Sequence, residues 1–199
     1  YESNYGGGGV CLHTGANFTM YDGEISSNTS AEDGGGVFAI GGASFVMQGG
    51  TISNNEATKC GGGLALYNDG TFRLPGGIIS DNTAANGGGV YGSNISLPIS
   101  GSVEIKNNKA KYGGGVYVNS GTVNMSGGEI TGNRAYRVFS VSEGGANASG
   151  GGVYVNDGTF TMSNTASITD NSVGDNGVGS GVYVGDGSFT MNGGEVSRN

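Results

Sequence analysis

The feature that most constrains this chain is a unit of about 27 residues that recurs along its whole length of 199 residues. One copy reads GGGVYVNSGTVNMSGGEITGN (113–133), and close variants occupy 150–171 and 179–199. The copies begin at seven glycines: Gly7, Gly34, Gly61, Gly87, Gly113, Gly150 and Gly179. A flexible glycine-rich linker would not repeat its apolar positions. The regular unit therefore predicts a repeat protein.

Each copy keeps the same apolar positions. In 113–133 they are Val116, Val118, Val123, Met125 and Ile130. Apolar residues two apart point to the same side of a strand, and no helical periodicity is present. The pattern predicts three short strands per copy, with five inward-facing columns of apolar side chains.

If each copy forms one turn of a coil, equivalent strands stack in parallel at about 4.8 Å. The glycines at the start of each copy supply tight corners. Glycine accounts for 45 of 199 residues, which alone would be typical of disorder. Val, Ile, Thr, Tyr and Phe are nevertheless plentiful and favour strands. We predict one all-β domain over 1–199, a right-handed parallel β-helix of about seven coils and about 34 Å in length.

An asparagine follows the third apolar run at the same place in every copy. These residues are Asn28, Asn55, Asn82, Asn108, Asn133, Asn171 and Asn199. Stacked amides hydrogen-bond to the backbone and to one another. The spacing predicts a buried asparagine ladder, whereas Asn119 is expected in a plain surface turn.

The unit GGGVYV…GTFTM…GGEISxN resembles the repeats of right-handed parallel β-helix regions in large bacterial cell-surface proteins, particularly adhesin-like ones. The resemblance extends over essentially the whole chain. It implies an extracellular or cell-surface location, and a structural or adhesive role with a carbohydrate or a host surface protein as partner. Pectate-lyase-like enzymes share the architecture, so a fragment of a polysaccharide-active lyase or hydrolase is the alternative.

Charge and hydropathy argue against two classes of partner. The net charge is −8 with 8 Lys and Arg residues, so the chain lacks the basic face that nucleic-acid binding requires. No run of 18 apolar residues exists that would insert into a membrane. The chain does not begin with Met and starts inside the pattern. We therefore expect a piece of a longer protein whose further coils or caps flank it.

The sequence predicts no catalytic site, no metal and no cofactor. Acidic residues are scattered, Glu104 and Glu129 share a column without a further partner, and His13 is the one histidine. An ice-binding or filament-forming module is a less favoured alternative. The Thr rows that bind ice are interrupted at Arg73, Pro98 and Asn124.

Two surface features are candidate binding sites. The first is the column between the inward valines, which is expected to face solvent: Cys11, Phe38, Ala65, Tyr91, Tyr117, Tyr154 and Tyr183. Its four stacked tyrosines form either a platform for sugar rings or a protein partner, or ordinary cross-strand packing. The second is an insertion at 134–149 that carries Tyr136, Arg137 and Phe139, either as a binding loop or as a tolerated one.

The two cysteines are predicted to be free thiols. In the coil arrangement Cys11 and Cys60 lie about 9 Å apart along the axis. Disulfide geometry requires Cα atoms within about 7 Å.

Overall fold

The computed structural model describes residues 6–136 and 147–199. In it the repeats stack on one another in parallel. These residues form 26 strands and no helix. Equivalent strands of successive repeats pair in parallel, so that each repeat is one coil of a β-solenoid of about seven turns. The predicted fold class is confirmed.

The first sheet contains seven strands with the order β1-β5-β9-β12-β16-β20-β24. Their bounds are Val10–Leu12, Val37–Ala39, Leu64–Tyr67, Val90–Ser93, Val116–Val118, Val153–Val155 and Val182–Val184. Its register aligns Val90 with Val116 and Val116 with Val153, as the repeat spacing predicts.

The second sheet is divided between two groups. Strands β2 (Asn17–Met20), β6 (Ser44–Met47) and β10 (Thr71–Arg73) form one group. Strands β13 (Ile95–Ile99), β17 (Gly121–Met125), β21 (Thr159–Met162) and β25 (Ser188–Met191) form the other. A single bridge between Leu74 and Ile99 joins them. Pro98 lies at this junction and has no N–H to donate, which explains the weakened pairing.

The third sheet again contains seven strands, and it carries the residues that precede the asparagines. Strands β3, β7, β11, β14, β18, β22 and β26 span Glu24–Ser26, Thr51–Ser53, Ile78–Ser80, Glu104–Lys106, Glu129–Thr131, Ser167–Thr169 and Glu195–Ser197. The residue before each ladder asparagine has a left-handed backbone, for example Asn107 at φ 55°. Glycine tolerates that conformation best, followed by Asn and Asp, and four of the seven positions hold Asn or Asp.

Two-residue strands line the corner after five of the seven asparagines. They are β4 (Thr29–Ser30), β8 (Glu56–Ala57), β15 (Lys109–Ala110), β19 (Arg134–Ala135) and β23 (Ser172–Val173). Small residues are buried on four of these strands, Ser30, Ala57, Ala110 and Ala135, and Ala84 is buried at the equivalent place after Asn82. This second, narrow core was not predicted from the sequence.

The asparagine ladder is present as predicted. Asn82, Asn108 and Asn133 have no exposed surface. The side-chain nitrogen of Asn108 donates to the carbonyl of Ile79 at 2.9 Å and to the side-chain oxygen of Asn133 at 3.0 Å. Its own side-chain oxygen accepts from Asn82. In the described part of the chain, no buried side-chain N or O lacks a partner.

Candidate functional site

The tyrosine stripe, defined as Tyr91, Tyr117, Tyr154 and Tyr183, lies on the outer surface of the first sheet. Consecutive members are direct partners in the register. Ring centroids are 5.4 Å apart between Tyr91 and Tyr117, and 4.8 Å apart in each of the two following pairs. All three pairs are stacked, with an interplanar angle of 5° between Tyr117 and Tyr154. The strand spacing thus sets the ring spacing.

Stacking determines which part of each ring a ligand can reach. Both faces of Tyr117 and Tyr154 are covered by neighbouring rings, and both side chains are half-buried, with burial as the main cause of their raised phenol pKa. A sugar that packs on an aromatic ring needs an open face. Of the two alternatives from the sequence, the flat platform does not fit these two rings, so a ligand would meet the ring edges and the hydroxyl groups, which donate and accept hydrogen bonds.

Solvent exposure is not uniform along this column. Tyr91 is 8% exposed, and Phe38 and Ala65 are completely buried. The expectation that the whole column faces solvent is wrong for these three coils. The glycine turn before each strand does not explain the difference, because a methyl group at Gly34 would lie 2.7 Å from the Cβ of Phe38 and one at Gly150 would lie 2.9 Å from that of Tyr154.

Tyr67 covers this end of the stripe. Its ring lies 5.6 Å from that of Phe38 and 5.4 Å from that of Tyr91. Its hydroxyl donates to the carboxylate of Asp33 at 2.8 Å. Burial, and then the neighbouring Cys60 and Asp33, raise the pKa of the Tyr67 phenol. Burial raises the pKa of Tyr91 to about 12. These hydroxyls stay neutral and belong to a packed polar cluster.

Two further residues extend the stripe on its turn side and were missed in the sequence. Tyr112 has its ring 5.4 Å from that of Tyr154, and Lys111 Nζ lies 5.1 Å from the centre of the Tyr112 ring. Tyr112 precedes a glycine triplet, at the position of Cys60 and Asn86 in earlier coils. The repeat alignment contains that column, but polar and apolar residues alternate in it, so its composition did not predict that Tyr112 packs against the stripe.

The column on the strand side of the stripe is polar. Asn119 donates through its side-chain nitrogen to Ser93 Oγ at 3.1 Å and accepts from Asn156 at 3.3 Å. Asn119 lies in a turn after β16, as expected, but the expectation that the position is plain is wrong, because its side chain has two hydrogen-bond partners. Its half-buried amide belongs to a short second ladder that borders the tyrosine edges. The stripe therefore offers phenol hydroxyls beside amide groups.

The insertion leaves and re-enters the solenoid beside the stripe. Tyr136 is half-buried, and its N–H donates to the carbonyl of Ala110 at 2.8 Å. After the insertion, Ser149 bridges to Tyr112 in the preceding coil. Arg137 and Phe139, the other two candidate residues, lie outside the described residues. The two features predicted from the sequence, the tyrosine stripe and the insertion, therefore lie close together where the insertion joins the solenoid.

The shared column of Glu104 and Glu129 bears on the alternative of a polysaccharide-active enzyme. The two residues are direct partners in the register, as predicted. Glu104 pairs with Lys106 at 2.6 Å, and Glu129 accepts from Thr169 Oγ1 at 3.1 Å. Each carboxylate thus has a partner of its own.

Within 6–136 and 147–199, no three His, Cys, Asp or Glu side chains are grouped so that they could hold a metal ion. The same ranges contain no helix long and apolar enough to cross a membrane.

Cys11 and Cys60 are free thiols, as predicted. Cys11 is exposed, whereas Cys60 is half-buried and accepts from the Asn86 side chain at 3.6 Å. Burial raises the pKa of the Cys60 thiol to about 11, with a further contribution from Asp33. About one Cys60 in a thousand is therefore a thiolate at pH 8.

We expect a thiol reagent at pH 8 to label Cys11 at least about tenfold faster than Cys60, because thiolate fraction and access set the rate. Peptide mass spectrometry over a time course measures both sites in one sample. Equal rates for the two cysteines would contradict the packing of Cys60 against Asn86 and Tyr67.

Comparisons with protein-family models, with curated proteins and with solved structures found no match to this chain. Its function is therefore argued from the geometry described above.

Proposed function

We propose that this chain is a non-catalytic structural and adhesive segment of a secreted or surface-anchored bacterial protein, which displays the tyrosine stripe to glycans or host proteins. The observation that carries the proposal is the stripe itself: stacked tyrosines whose edges line one side of a regular rod. Exposed aromatic rows are common at interaction sites.

The rod provides rigidity. Parallel pairing runs through all seven coils of the first and third sheets, and the asparagine ladder joins successive coils beside the third sheet. Each coil packs its apolar side chains into one shared core, in which Phe45, Phe72 and Phe160 are buried. Such a segment holds its surface groups at fixed positions over several coils. That property suits a protein that must present a binding face at a distance from a cell.

The stripe suits a ligand with many hydroxyl groups. Phenol groups on adjacent coils recur at the strand spacing of about 4.8 Å, and the amides of Asn119 and Asn156 run beside them. A sugar chain that lies along the rod would meet donors and acceptors at each coil. Several such contacts together provide affinity that one exposed hydrogen bond does not.

A glycan array probed with the purified chain tests this proposal. We expect the Tyr117→Ala/Tyr154→Ala variant to lose binding about tenfold or more, because it removes the centre of the stripe. The Tyr117→Phe/Tyr154→Phe variant keeps the stacked rings and removes the hydroxyls, so it should lose nearly as much if the edges carry the contact.

Tyr21 provides the matched control, because it is 75% exposed and lies outside the stripe. The Tyr21→Ala variant should bind like the original chain. If the stripe variants bind glycans and host proteins as well as the original chain does, the tyrosine stripe is not the binding face.

A further inference from the structure

Positive charge is concentrated at one corner of this acidic protein. The net charge is −8, yet three of the eight Lys and Arg residues, Lys109, Lys111 and Arg134, lie on two adjacent coils of the described chain. Two of them, Lys109 and Arg134, lie on the adjacent short strands β15 and β19 and are direct partners in the register. The following residues, Ala110 and Ala135, are completely buried, which directs Lys109 and Arg134 outward, where both are exposed.

Two more residues complete the surface. Lys111 and Tyr136 occupy equivalent positions in the same two coils: the N–H of Lys111 donates to Ala85 and that of Tyr136 donates to Ala110. We call Lys109, Lys111, Arg134 and Tyr136 the basic corner. Neutral residues frame it in the same columns, with Thr83 in the coil before and Ser172 in the coil after.

The central pair of this corner is electrostatically unfavourable in the chain alone. Like charges directly opposite on adjacent strands destabilise a sheet. Three other cations of the described chain are paired: Lys59 with Glu32, Lys106 with Glu104, and Arg198 with Asp170. Arg73 has no ion pair within the described residues, but it lies opposite an apolar residue, Val46, in the register. Within residues 6–136 and 147–199, Lys109 and Arg134 have no ion-pair partner. An anion bridging the two side chains would relieve their repulsion and form charge-assisted hydrogen bonds.

We infer that the basic corner binds the acid groups of an acidic polysaccharide, a chain of sugars that carries carboxylate or sulfate groups. Arg134 can hold such a group through two parallel N–H donors, and Lys109 adds a second charge one coil away. The half-buried ring of Tyr136 offers apolar surface to the sugar beside the acid group. This inference rests on the proposed adhesive function and names the class of its ligand.

The remaining surface supports the same assignment. A protein with net charge −8 repels a polyanion over most of its surface, so attraction is confined to the basic corner. The acidic polysaccharide is then bound at the basic corner, and its further sugars extend toward the tyrosine stripe. Binding of this kind weakens with salt, because exposed charges are screened beyond about 10 Å at 0.1 M ionic strength.

Binding of the whole chain to immobilised polygalacturonate and to heparin, with dextran as the neutral probe, tests the inference. We expect binding to both acidic probes and not to dextran, and a fall in affinity between 50 and 300 mM salt. The Lys109→Gln/Arg134→Gln variant should lose about tenfold or more in affinity for the acidic probes.

A matched control keeps the net charge equal. The Lys59→Gln/Arg73→Gln variant also removes two positive charges, but Lys59 is paired with Glu32 and Arg73 lies on the second sheet. It should bind the acidic probes like the original chain. Equal losses in the two double variants, or a DNA duplex that competes as well as the polysaccharides, would reduce the effect to general charge attraction and overturn the inference.

The outcomes separate this inference from the proposed function. Binding to neutral glycans that depends on Tyr117 and Tyr154, without binding to either acidic probe, would leave the adhesive function in place and overturn the inference. Loss of both kinds of binding would overturn both proposals. Circular dichroism of each variant, compared with the original chain, confirms that a loss of binding is not a loss of fold.

Discussion

Replacing Gly88 by Ala is expected to destabilise the solenoid by about 4 kcal/mol or more. Gly88 is the second glycine of its triplet, and its Cα faces the backbone of two other segments. An added methyl group would lie 2.6 Å from the carbonyl oxygen of Gly114 and still closer to that of Lys109. Both obstacles are backbone atoms, so relief requires that coils separate. Urea unfolding followed by circular dichroism measures the loss.

A second glycine variant distinguishes two causes of destabilisation: the steric clash of an added Cβ with neighbouring backbone, and the strain of a left-handed backbone. Gly42 has φ +77°, and no atom lies within 4 Å of the place where a methyl group would stand. Gly42→Ala should therefore cost about 1–2 kcal/mol, the price of a left-handed backbone with a Cβ. If both variants were equally stable, the tight packing of the glycine triplet against the corner strands would be wrong.

Asn108→Ala is the second substitution with a large expected effect, about 3–5 kcal/mol. The side chain of Asn108 makes four hydrogen bonds, and its removal leaves groups of Ile79, Asn82 and Asn133 buried without those partners. Each buried group left unsatisfied costs about 1–3 kcal/mol. The loss appears as a lower urea midpoint and a lower melting temperature.

Asn124 provides the control for this substitution. It lies exposed on β17, in the neighbouring coil, and no side-chain hydrogen bond involves it in the described part of the chain. Asn124→Ala should change the free energy of unfolding by less than about 0.5 kcal/mol. An equal effect of the two asparagine variants would rule out a ladder that holds the coils together.

The main architecture could be predicted because a parallel solenoid pairs each residue with its equivalent in the next repeat. Aligning the repeats therefore gives the register directly: Ile105 pairs with Ile130, as their common position before an asparagine predicts. The same alignment predicts the ladder. A polar side chain that recurs beside an apolar column is buried and needs hydrogen-bond partners, and the equivalent residues in the adjacent coils provide them.

Exposure on the outer face could not be predicted in the same way. Alternation shows which side chains point away from the main core, but it does not show what lies above them. The ring of Tyr67 reaches across to those of Phe38 and Tyr91. This contact depends on side-chain rotamers, which a column of residue types does not contain.

The basic corner was not predicted, although the repeat alignment contains it. Lys109 and Arg134 are 25 positions apart, and each directly follows a ladder asparagine and precedes an alanine. They become neighbours because β15 pairs with β19. A register was predicted for the three main strands of each copy, whereas the two-residue strands after the asparagine were too short to show a pattern.

The most direct test of the central claim, that each repeat forms one coil stacked on the next, is a set of nuclear Overhauser contacts in the isotope-labelled chain. We expect contacts between Val116 and Val153 and between the side-chain amides of Asn108 and Asn133, with slow hydrogen exchange of those amides. Contacts instead between β16 and β17 as an antiparallel hairpin within one repeat would contradict the stacked solenoid, and with it both proposed binding surfaces.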